Sequence, residues 1–261
     1  MAQIDYPGHV GADTERFAEA IERGPLDASI GACPGWDLQR LALHLGHIHR
    51  WARIAAATGA APDATTVPGP PDDPSDPRAL ADWLRAGGSA LVDTLSQVDP
   101  AAPTWHPFPV PLVAGVWPRR QAQETQVHRW DAQRAVGDTE PLDPALASDG
   151  IDEYLTMMLP RLLQRDGVVL PEGSLHLTCT DTPGCWTVSS VGGEMFVSGC
   201  PDETDPAGAG DATGSSHPGR GYVHGTAEQI LLTLWGRSSS DDLRIDGARE
   251  VAAEWLAVGG T

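Results

Sequence analysis

The sequence predicts a mostly helical protein, in which a helical bundle formed by residues 1–168 is followed by a smaller α+β domain formed by residues 169–261. Two observations indicate this organisation. Through the first part, apolar residues recur at steps of three and four in stretches that proline-rich breaks separate, which is the pattern of packed helices. Alternation of apolar and polar residues, which is typical of strands, comes only after residue 168. The sequence therefore favours a bundle with long connections and then a mixed domain.

Five helical stretches are predicted in the first part, at residues 9–24, 38–55, 77–98, 119–136 and 144–165. The second stretch has the clearest apolar stripe, which consists of Leu38, Leu41, Leu45, Ile48, Ala52 and Ala55. Pro118 suits the start of the fourth helix, because its missing N–H would have no partner there. Between the second and third stretches, residues 62–77 contain six prolines, which exclude a regular element.

The second part begins with a predicted hairpin. Residues 174–180 and 185–189 alternate with a period of two, and the segment Asp181-Thr-Pro-Gly184 between them has the composition of a turn. Residues 201–221 are rich in Gly, Asp, Ser and Pro and are predicted to form a long loop. Two closing helices are expected at residues 226–235 and 249–257.

The composition excludes several classes of function. The 261 residues include 36 acidic and 17 basic side chains, which give a formal net charge of −19. Such a chain repels polyphosphate and anionic lipid, so we expect neither nucleic acid nor a membrane as a partner. All of the basic residues are arginine, which excludes Schiff-base chemistry and a P-loop lysine. Neither a membrane span nor a signal peptide is evident, so a cytoplasmic location is expected.

The cysteines are expected to be free thiols. They form no C-x-x-C pair and are Cys33, Cys179, Cys185 and Cys200. In a reducing cytosol, such residues are more often packed thiols than disulfides.

A polar row on the fourth predicted helix carries the candidate chemistry. Glu124 and His128 are four residues apart and therefore share one face, and Asp131 continues the same line. On the second helix, His44 lies among the positions of the apolar stripe and also points inward. A carboxylate and imidazoles directed into a bundle are costly unless they are paired or bind a cation. Two histidines and one glutamate from facing helices would form the open ligand set of a catalytic zinc site.

The residues alone leave other interpretations open. Glu124 and His128 are also compatible with an ordinary salt bridge on a helix. His47 and His49 are close to His44 in sequence. We interpret both as structural or solvent-facing, with His47 as the reserve ligand if the phase of the helix differs.

Two separated motifs resemble those of one family. The stretch Cys33-Pro-Gly-Trp-Asp-Leu-Gln-Arg-Leu-Ala-Leu-His44-Leu resembles the P-x-W-x-x-x-x-L-x-x-H-L signature of the DinB-like metal-binding four-helix family. The stretch Glu124-Thr-Gln-Val-His128-Arg-Trp-Asp-Ala132 is similar to a segment of its mycothiol-dependent maleylpyruvate isomerase branch. Leu231-Leu-Thr-Leu-Trp-Gly-Arg237 and Leu243-Arg-Ile-Asp-Gly247 resemble the small second domain of that branch. The resemblance therefore extends over nearly the whole chain.

The resemblance implies a DinB-like four-helix bundle, a small C-terminal α+β domain and a thiol-dependent enzyme. In the family, a histidine on the second helix and a glutamate and a histidine on the fourth hold a divalent metal ion, usually zinc. These positions are His44, Glu124 and His128 here. The cosubstrate would be the small thiol mycothiol, which reacts as a thiolate with a small electrophile. The implied reaction is S-transfer or cis/trans isomerisation.

Two further residues are candidates for a catalytic role. Arg237 matches a family position associated with catalysis and with binding of the substrate or cofactor, and a guanidinium suits a carboxylate. Asp131 is placed to hydrogen-bond the second nitrogen of His128. A salt bridge between Asp131 and Arg134 is an alternative use of the same carboxylate.

Two other classes of function remain compatible with the sequence. With activated water as the nucleophile, the same site would make the protein a metal-dependent hydrolase. If the site is not catalytic, the protein would be a binding or regulatory module for a small ligand. The segments expected to shape substrate choice are residues 60–115 and 201–221.

Overall fold

The computed structural model describes residues 3–199 and 219–258. The chain divides into two compact units, Met1–Leu142 and Asp143–Thr261. Long helices make up the first unit, whereas the second combines helices with a five-stranded sheet. The predicted fold class, a helical bundle followed by a smaller α+β part, is confirmed.

The four predicted helices of the bundle are α1 (Tyr6–Arg23), α2 (Leu38–Thr58), α3 (Pro77–Leu95) and α4 (Val116–Val136). The first three begin after an aspartate whose side chain accepts a backbone N–H of the first turn, and these caps are Asp5, Asp37 and Asp76. Helix α4 begins earlier than predicted, and Pro118 lies in its first turn, where no N–H is needed. Helices α2 and α4 end at Gly59 and Gly137, both of which have left-handed backbone angles.

The helices pack as a closed bundle. Helix α1 packs against α3 and α4, and α2 packs against the same two helices. The apolar stripe of α2 faces residues of α1 and α3, and together they form a core that includes Leu38, Leu41, Leu45, Phe17, Ile21, Leu80 and Leu84. The predicted inward face of α2 is therefore confirmed.

Helix α4 differs from the others because polar side chains are buried along most of its length. They include Arg120, Gln121, Gln123, Thr125, Gln126, Arg129, Asp131 and Gln133. Buried polar groups must be hydrogen-bonded or paired, so this helix depends on specific partners. One such pair joins α1 to α4, where Arg129 Nε lies 3.2 Å from Asp13 Oδ1. The guanidinium of Arg129 also donates to the carbonyl oxygen of Glu140 at 2.7 Å and thereby holds the chain that follows α4.

The second unit contains the helices α5 (Pro144–Glu153), α6 (Leu159–Asp166), α7 (Ala227–Leu234) and α8 (Arg249–Ala257). A π-helical turn, Tyr154–Met158, joins α5 to α6. The strands are β1 (Ser174–Cys179), β2 (Cys185–Val191), β3 (Glu194–Gly199), β4 (Arg220–Gly225) and β5 (Arg244–Gly247). Their order in the sheet is β3-β2-β1-β4-β5, in which β1 and β4 are parallel and the other neighbours are antiparallel.

The predicted hairpin and the predicted closing helices of this unit are confirmed. Strands β1 and β2 pair in antiparallel register, with Leu177 opposite Trp186. Helix α7 begins after Thr226, which forms a capping box with Gln229. The sheet buries one face against α7 and α8, and this face includes Leu175, Leu177, Val188 and Val223.

The division between the units lies at Leu142 and Asp143 and not near residue 168. Helix α5 packs against α7, and the ring of Tyr154 lies 5.0 Å from that of Trp235, so the fifth predicted helix belongs to the second unit. Helical periodicity indicates that a helix buries one face but does not indicate which partner covers that face.

Three expectations for the second unit differ from the structure or lie outside it. Strands β3, β4 and β5 were not predicted, because they are short and contain glycine at their ends. Of the predicted loop at residues 201–221, only residues 219–221 are described, and residues 220 and 221 belong to β4. Cys185 is disulfide-bonded, which corrects the expectation of four free thiols, because compartment statistics do not reveal which thiols the fold brings together. Cys200 lies outside the described residues.

Within residues 3–199 and 219–258, no helix combines the length and the hydropathy that a membrane span requires.

Candidate metal centre

The three predicted ligands converge between α2 and α4. Glu124 Oε1 lies 3.4 Å from His44 Nε2 and 3.3 Å from His128 Nε2. One donor atom from each residue falls within 4.8 Å of the other two. The structure therefore brings these side chains together as predicted, and the metal ion itself stays a prediction.

Local helix geometry explains this convergence. Glu124 and His128 are one turn apart on α4, so their side chains lie one above the other on the same face. His44 comes from the facing helix α2, and its ring lies 5.3 Å from that of His128 at nearly a right angle. The ring of Trp36, which precedes α2, lies 5.1 Å from that of His44. The imidazole of His44 thus contacts two aromatic rings, and 32% of its side-chain surface is exposed.

Asp131 orients His128. Its Oδ2 lies 3.1 Å from His128 Nδ1, and its side chain is only 1% exposed. A carboxylate accepts, so Nδ1 of His128 carries the hydrogen and Nε2 faces Glu124. This is the outer-shell contact that was predicted as one of two alternatives. In the other alternative, Arg134 would pair with Asp131, but its guanidinium stacks over the ring of Trp130 at 5.2 Å.

Arg120 is a residue of this cluster that was not predicted from the sequence. Its Nη2 donates to Glu124 Oε2 at 2.7 Å, and its side chain is 5% exposed. The spacing of four residues between Arg120 and Glu124 is the signal that would have indicated this pair. Because Arg120 binds Oε2, the other oxygen of Glu124 stays directed at the two histidines.

The electrostatics of the cluster follow from these contacts. Burial alone would raise the pKa of Glu124, but the charge of Arg120 and the hydrogen bonds from His128 and His44 hold that pKa well below its usual value. Burial would lower the pKa of His128, but the hydrogen bonds that its ring donates to the carboxylates of Asp131 and Glu124 raise that pKa to about 8. Glu124 is therefore a carboxylate at neutral pH, and a cation bound by His128 Nε2 would displace a proton.

The other two histidines of α2 lie outside the cluster. His47 is exposed on α2. His49 is fully buried, its Nε2 lies 3.0 Å from Thr125 Oγ1, and burial lowers its pKa to about 3. His49 is therefore neutral and structural, in agreement with its interpretation from the sequence.

Arg237 belongs to the second unit. It follows α7, where its Nη1 donates to the carbonyl oxygen of Trp235 at 2.8 Å and its guanidinium lies 5.8 Å from the ring of the same residue. Its catalytic and binding role stays a prediction. Among the other histidines of this unit, His176 stacks on Tyr222 and contacts Thr187, and His217 lies outside the described residues.

Comparison with known proteins agrees with this arrangement. The profile of the mycothiol maleylpyruvate isomerase N-terminal domain matches residues 8–133, and that of the C-terminal domain of the same family matches residues 145–254. No curated protein is recognisably similar to the chain in sequence. Two crystal structures of mycothiol-dependent maleylpyruvate isomerase, one of them of a histidine-to-alanine mutant, share the fold. Each superimposes with a TM-score of 0.58, and the match covers 92% of this chain and 91% of the chain in the crystal structure. The sequence identity is 11% to the mutant and 12% to the other structure. With both domain profiles matched in order and the same fold over nearly its whole length, the chain belongs to the mycothiol maleylpyruvate isomerase family.

Proposed function

We propose that the protein is a mycothiol-dependent enzyme that uses a metal-bound thiolate to isomerise a small electrophilic substrate. Family membership supports thiol dependence and isomerisation. The observation that carries the metal proposal is the convergence of His44, Glu124 and His128 from two helices.

The donor set fits a divalent metal ion, with zinc the best candidate. Two ligands at about 2.0–2.2 Å from one tetrahedral ion are about 3.3–3.6 Å apart. Glu124 Oε1 lies at this separation from His44 Nε2 and from His128 Nε2. Two imidazoles and one carboxylate are a ligand set of catalytic zinc sites, in which a fourth position stays open.

The residues around the ligands have the functions that such a site requires. Asp131 fixes the tautomer of His128 that leaves Nε2 free to coordinate. Arg120 holds one oxygen of Glu124, so that the other acts as a single ligand atom. The partial exposure of His44 gives a small molecule access to this side of the cluster.

When bound, the metal ion would lower the pKa of a coordinated thiol, so that thiolate forms near neutral pH. In the isomerisation, the thiolate sulfur adds to one carbon of an activated cis double bond, and the electron pair of the double bond moves to the activating group. Rotation about the resulting single bond and loss of the thiolate return a trans double bond, so no thiol is consumed. In S-transfer, the anion formed by the addition would instead take up a proton from solvent, and the carbon–sulfur bond would be retained. We propose that Arg237 binds a carboxylate of the substrate, as its guanidinium suits that group.

The proposal is tested with purified protein, mycothiol and maleylpyruvate. We expect about one zinc ion per chain by elemental analysis and conversion of cis to trans product at substoichiometric thiol. Replacing His128 by Ala should abolish both metal binding and turnover, whereas the matched change His47→Ala removes an exposed histidine on α2 and should leave both unchanged. Full thiol-dependent activity in metal-free His128→Ala protein would refute the metal mechanism.

The same assay separates the remaining alternatives. Consumption of one thiol per product would indicate S-transfer, and turnover without any thiol would indicate a hydrolase. Stoichiometric metal binding with no reaction on any acceptor would favour a binding module.

A further inference from the structure

Arg40 is an exposed arginine beside the candidate metal centre. It lies four residues before His44 on α2, so the two side chains share one face of the helix and their Cβ atoms are about 5–6 Å apart. Of the three candidate ligands, His44 has the most exposed side chain, at 32%. Arg40 therefore lies one turn from the ligand that a small molecule in solution can approach.

Trp36 holds the guanidinium of Arg40 in place. The Cζ atom of Arg40 lies over the Trp36 ring, 4.8 Å from its centre, and the ring of His44 lies 5.1 Å from the same ring. Trp36 packs against the bundle core, and its backbone N–H donates to the carbonyl oxygen of Cys33 while its own carbonyl oxygen accepts the N–H of Ile30. A cation placed over such a fixed ring loses less conformational freedom on binding a ligand than a freely moving side chain would.

The charge of Arg40 is not used by the part of the chain that the structure describes. Within residues 3–199 and 219–258, its guanidinium makes the contact with Trp36 but no ion pair or hydrogen bond. Asp37 caps α2 by accepting the backbone N–H of Arg40 at 2.8 Å. A positive charge in the first turn is opposed by the helix dipole, so the stability of α2 does not account for this arginine. In a chain with a net charge of −19, it gives an anion a local attraction that the protein as a whole opposes.

We infer that Arg40 binds a carboxylate of the electrophilic substrate and makes the centre selective for unsaturated carboxylic acids over neutral electrophiles. This inference rests on the proposed function and concerns the bundle alone, whereas Arg237 belongs to the second unit. One helical turn advances about 5.4 Å, so a short unsaturated acid that reacts beside His44 can place its carboxylate at Arg40. A single guanidinium matches the single charge of a carboxylate and can donate two parallel N–H bonds to its oxygens.

The test compares two inert probes of equal length, the dianion succinate and its neutral diamide, succinamide. Their dissociation constants are measured by isothermal titration calorimetry with the purified protein, and we expect the wild-type protein to bind succinate more tightly. In Arg40→Gln, the dissociation constant of succinate should rise by about 5- to 20-fold, as expected for the loss of a charge-assisted pair at an exposed site. That of succinamide should change by less than about twofold.

Two further variants make the result specific. Arg40→Lys keeps the charge but lacks the planar pair of donors, so it should recover only part of the succinate affinity. Arg53→Gln removes an arginine nine residues after His44, on the opposite side of α2, and should leave both affinities unchanged. In the isomerisation assay, Arg40→Gln should raise the KM for maleylpyruvate by a factor similar to that for succinate, while kcat and the KM for mycothiol stay within about twofold.

Several results would overturn the inference. Equal weakening of succinate and succinamide in Arg40→Gln would show that the side chain contributes only shape, and unchanged succinate affinity would show that it does not contact the carboxylate. A lower kcat with an unchanged KM for maleylpyruvate would also contradict substrate binding by Arg40. A wild-type protein that neither binds a metal ion nor isomerises the substrate would refute the proposed function instead, and the comparison of the two probes would still decide whether Arg40 binds a carboxylate.

Discussion

Replacing Asp131 by Asn measures how far this carboxylate prepares His128 for a metal ion. The side chain is 1% exposed, and its Oδ2 lies 3.1 Å from His128 Nδ1, so Asn preserves the volume and removes the charge. A hydrogen bond to a charged group contributes about 1.5–3 kcal/mol and a neutral one about 0.5–1.5 kcal/mol. The difference of about 1–1.5 kcal/mol corresponds to about tenfold in zinc affinity. An amide can also donate to Nδ1 and thereby favour the tautomer that cannot coordinate through Nε2, so we expect a total loss of about 10- to 100-fold.

Competition with a chromophoric chelator measures this affinity directly. Asp93→Asn on the exposed side of α3 is the control for the loss of one negative charge, and it should leave the dissociation constant unchanged. The free energy of unfolding of the metal-free variant is measured in parallel by urea denaturation. If Asp131→Asn binds zinc as tightly as the wild-type protein, the reasoning about the tautomer of His128 is wrong.

Three other predictions concern stability. Burial holds the pKa of His49 at about 3, below the 6.5 of an ordinary histidine, so the stability that the neutral side chain contributes is complete above about pH 6.5. This stability is lost as the pH falls toward 3, by up to about 1.4 kcal/mol per pH unit. Urea unfolding between pH 4 and 7 should therefore show a shallower pH dependence for His49→Gln, and an identical slope would contradict this assignment. Arg129→Met removes a buried partner of Asp13 and should lower the free energy of unfolding by about 3 kcal/mol, of which Asp13→Asn in the same protein restores a part; strict additivity of the two changes would show that the residues do not interact. Zinc at about 100 times its dissociation constant should add about 2.7 kcal/mol to the stability of the wild-type protein and none to that of His128→Ala, so equal stabilisation of both would place the metal elsewhere.

The bundle was predictable because its helices depend on local patterns. The apolar stripe of α2 is a signal within one helix, and most of its residues are buried in the structure. The boundary between the units was less accessible to prediction. Helices α5 and α6 have the same periodicity as bundle helices, and only the contact of α5 with α7 assigns them to the second unit. Likewise, β4 and β5 pair with partners that are distant in sequence, and their short glycine-bounded sequences contain no local signal of that pairing.

The site was also predictable only where it depends on patterns within one helix. The spacing of Glu124 and His128 predicted a shared face, and the inward phase of His44 made it a candidate ligand from the facing helix. The choice of this set over a plain salt bridge, or over His47 as a ligand, came from the resemblance to the family. The choice between two partners for Asp131 depended on rotamers that spacing does not determine, and the structure shows a contact with His128. Arg120 was not predicted because it lies one turn before Glu124, whereas the polar row formed with His128 and Asp131 extends from Glu124 toward the C-terminus.

Helix α4 remains buried although it is polar because two separate networks satisfy its charged groups. His128 faces Asp131 and Glu124, whereas its neighbour in sequence, Arg129, projects to another face and reaches Asp13 on α1. The network of Arg129 ties α4 to α1 and to the chain that follows it, and so fixes the helix in the bundle. The network of His128 then presents its donors to α2 from a helix that is already anchored. Since successive residues carry the two tasks, the proposed metal ligands can be exchanged without removing the anchor. Variants such as His128→Ala are therefore expected to fold and to isolate the chemistry of the proposed centre.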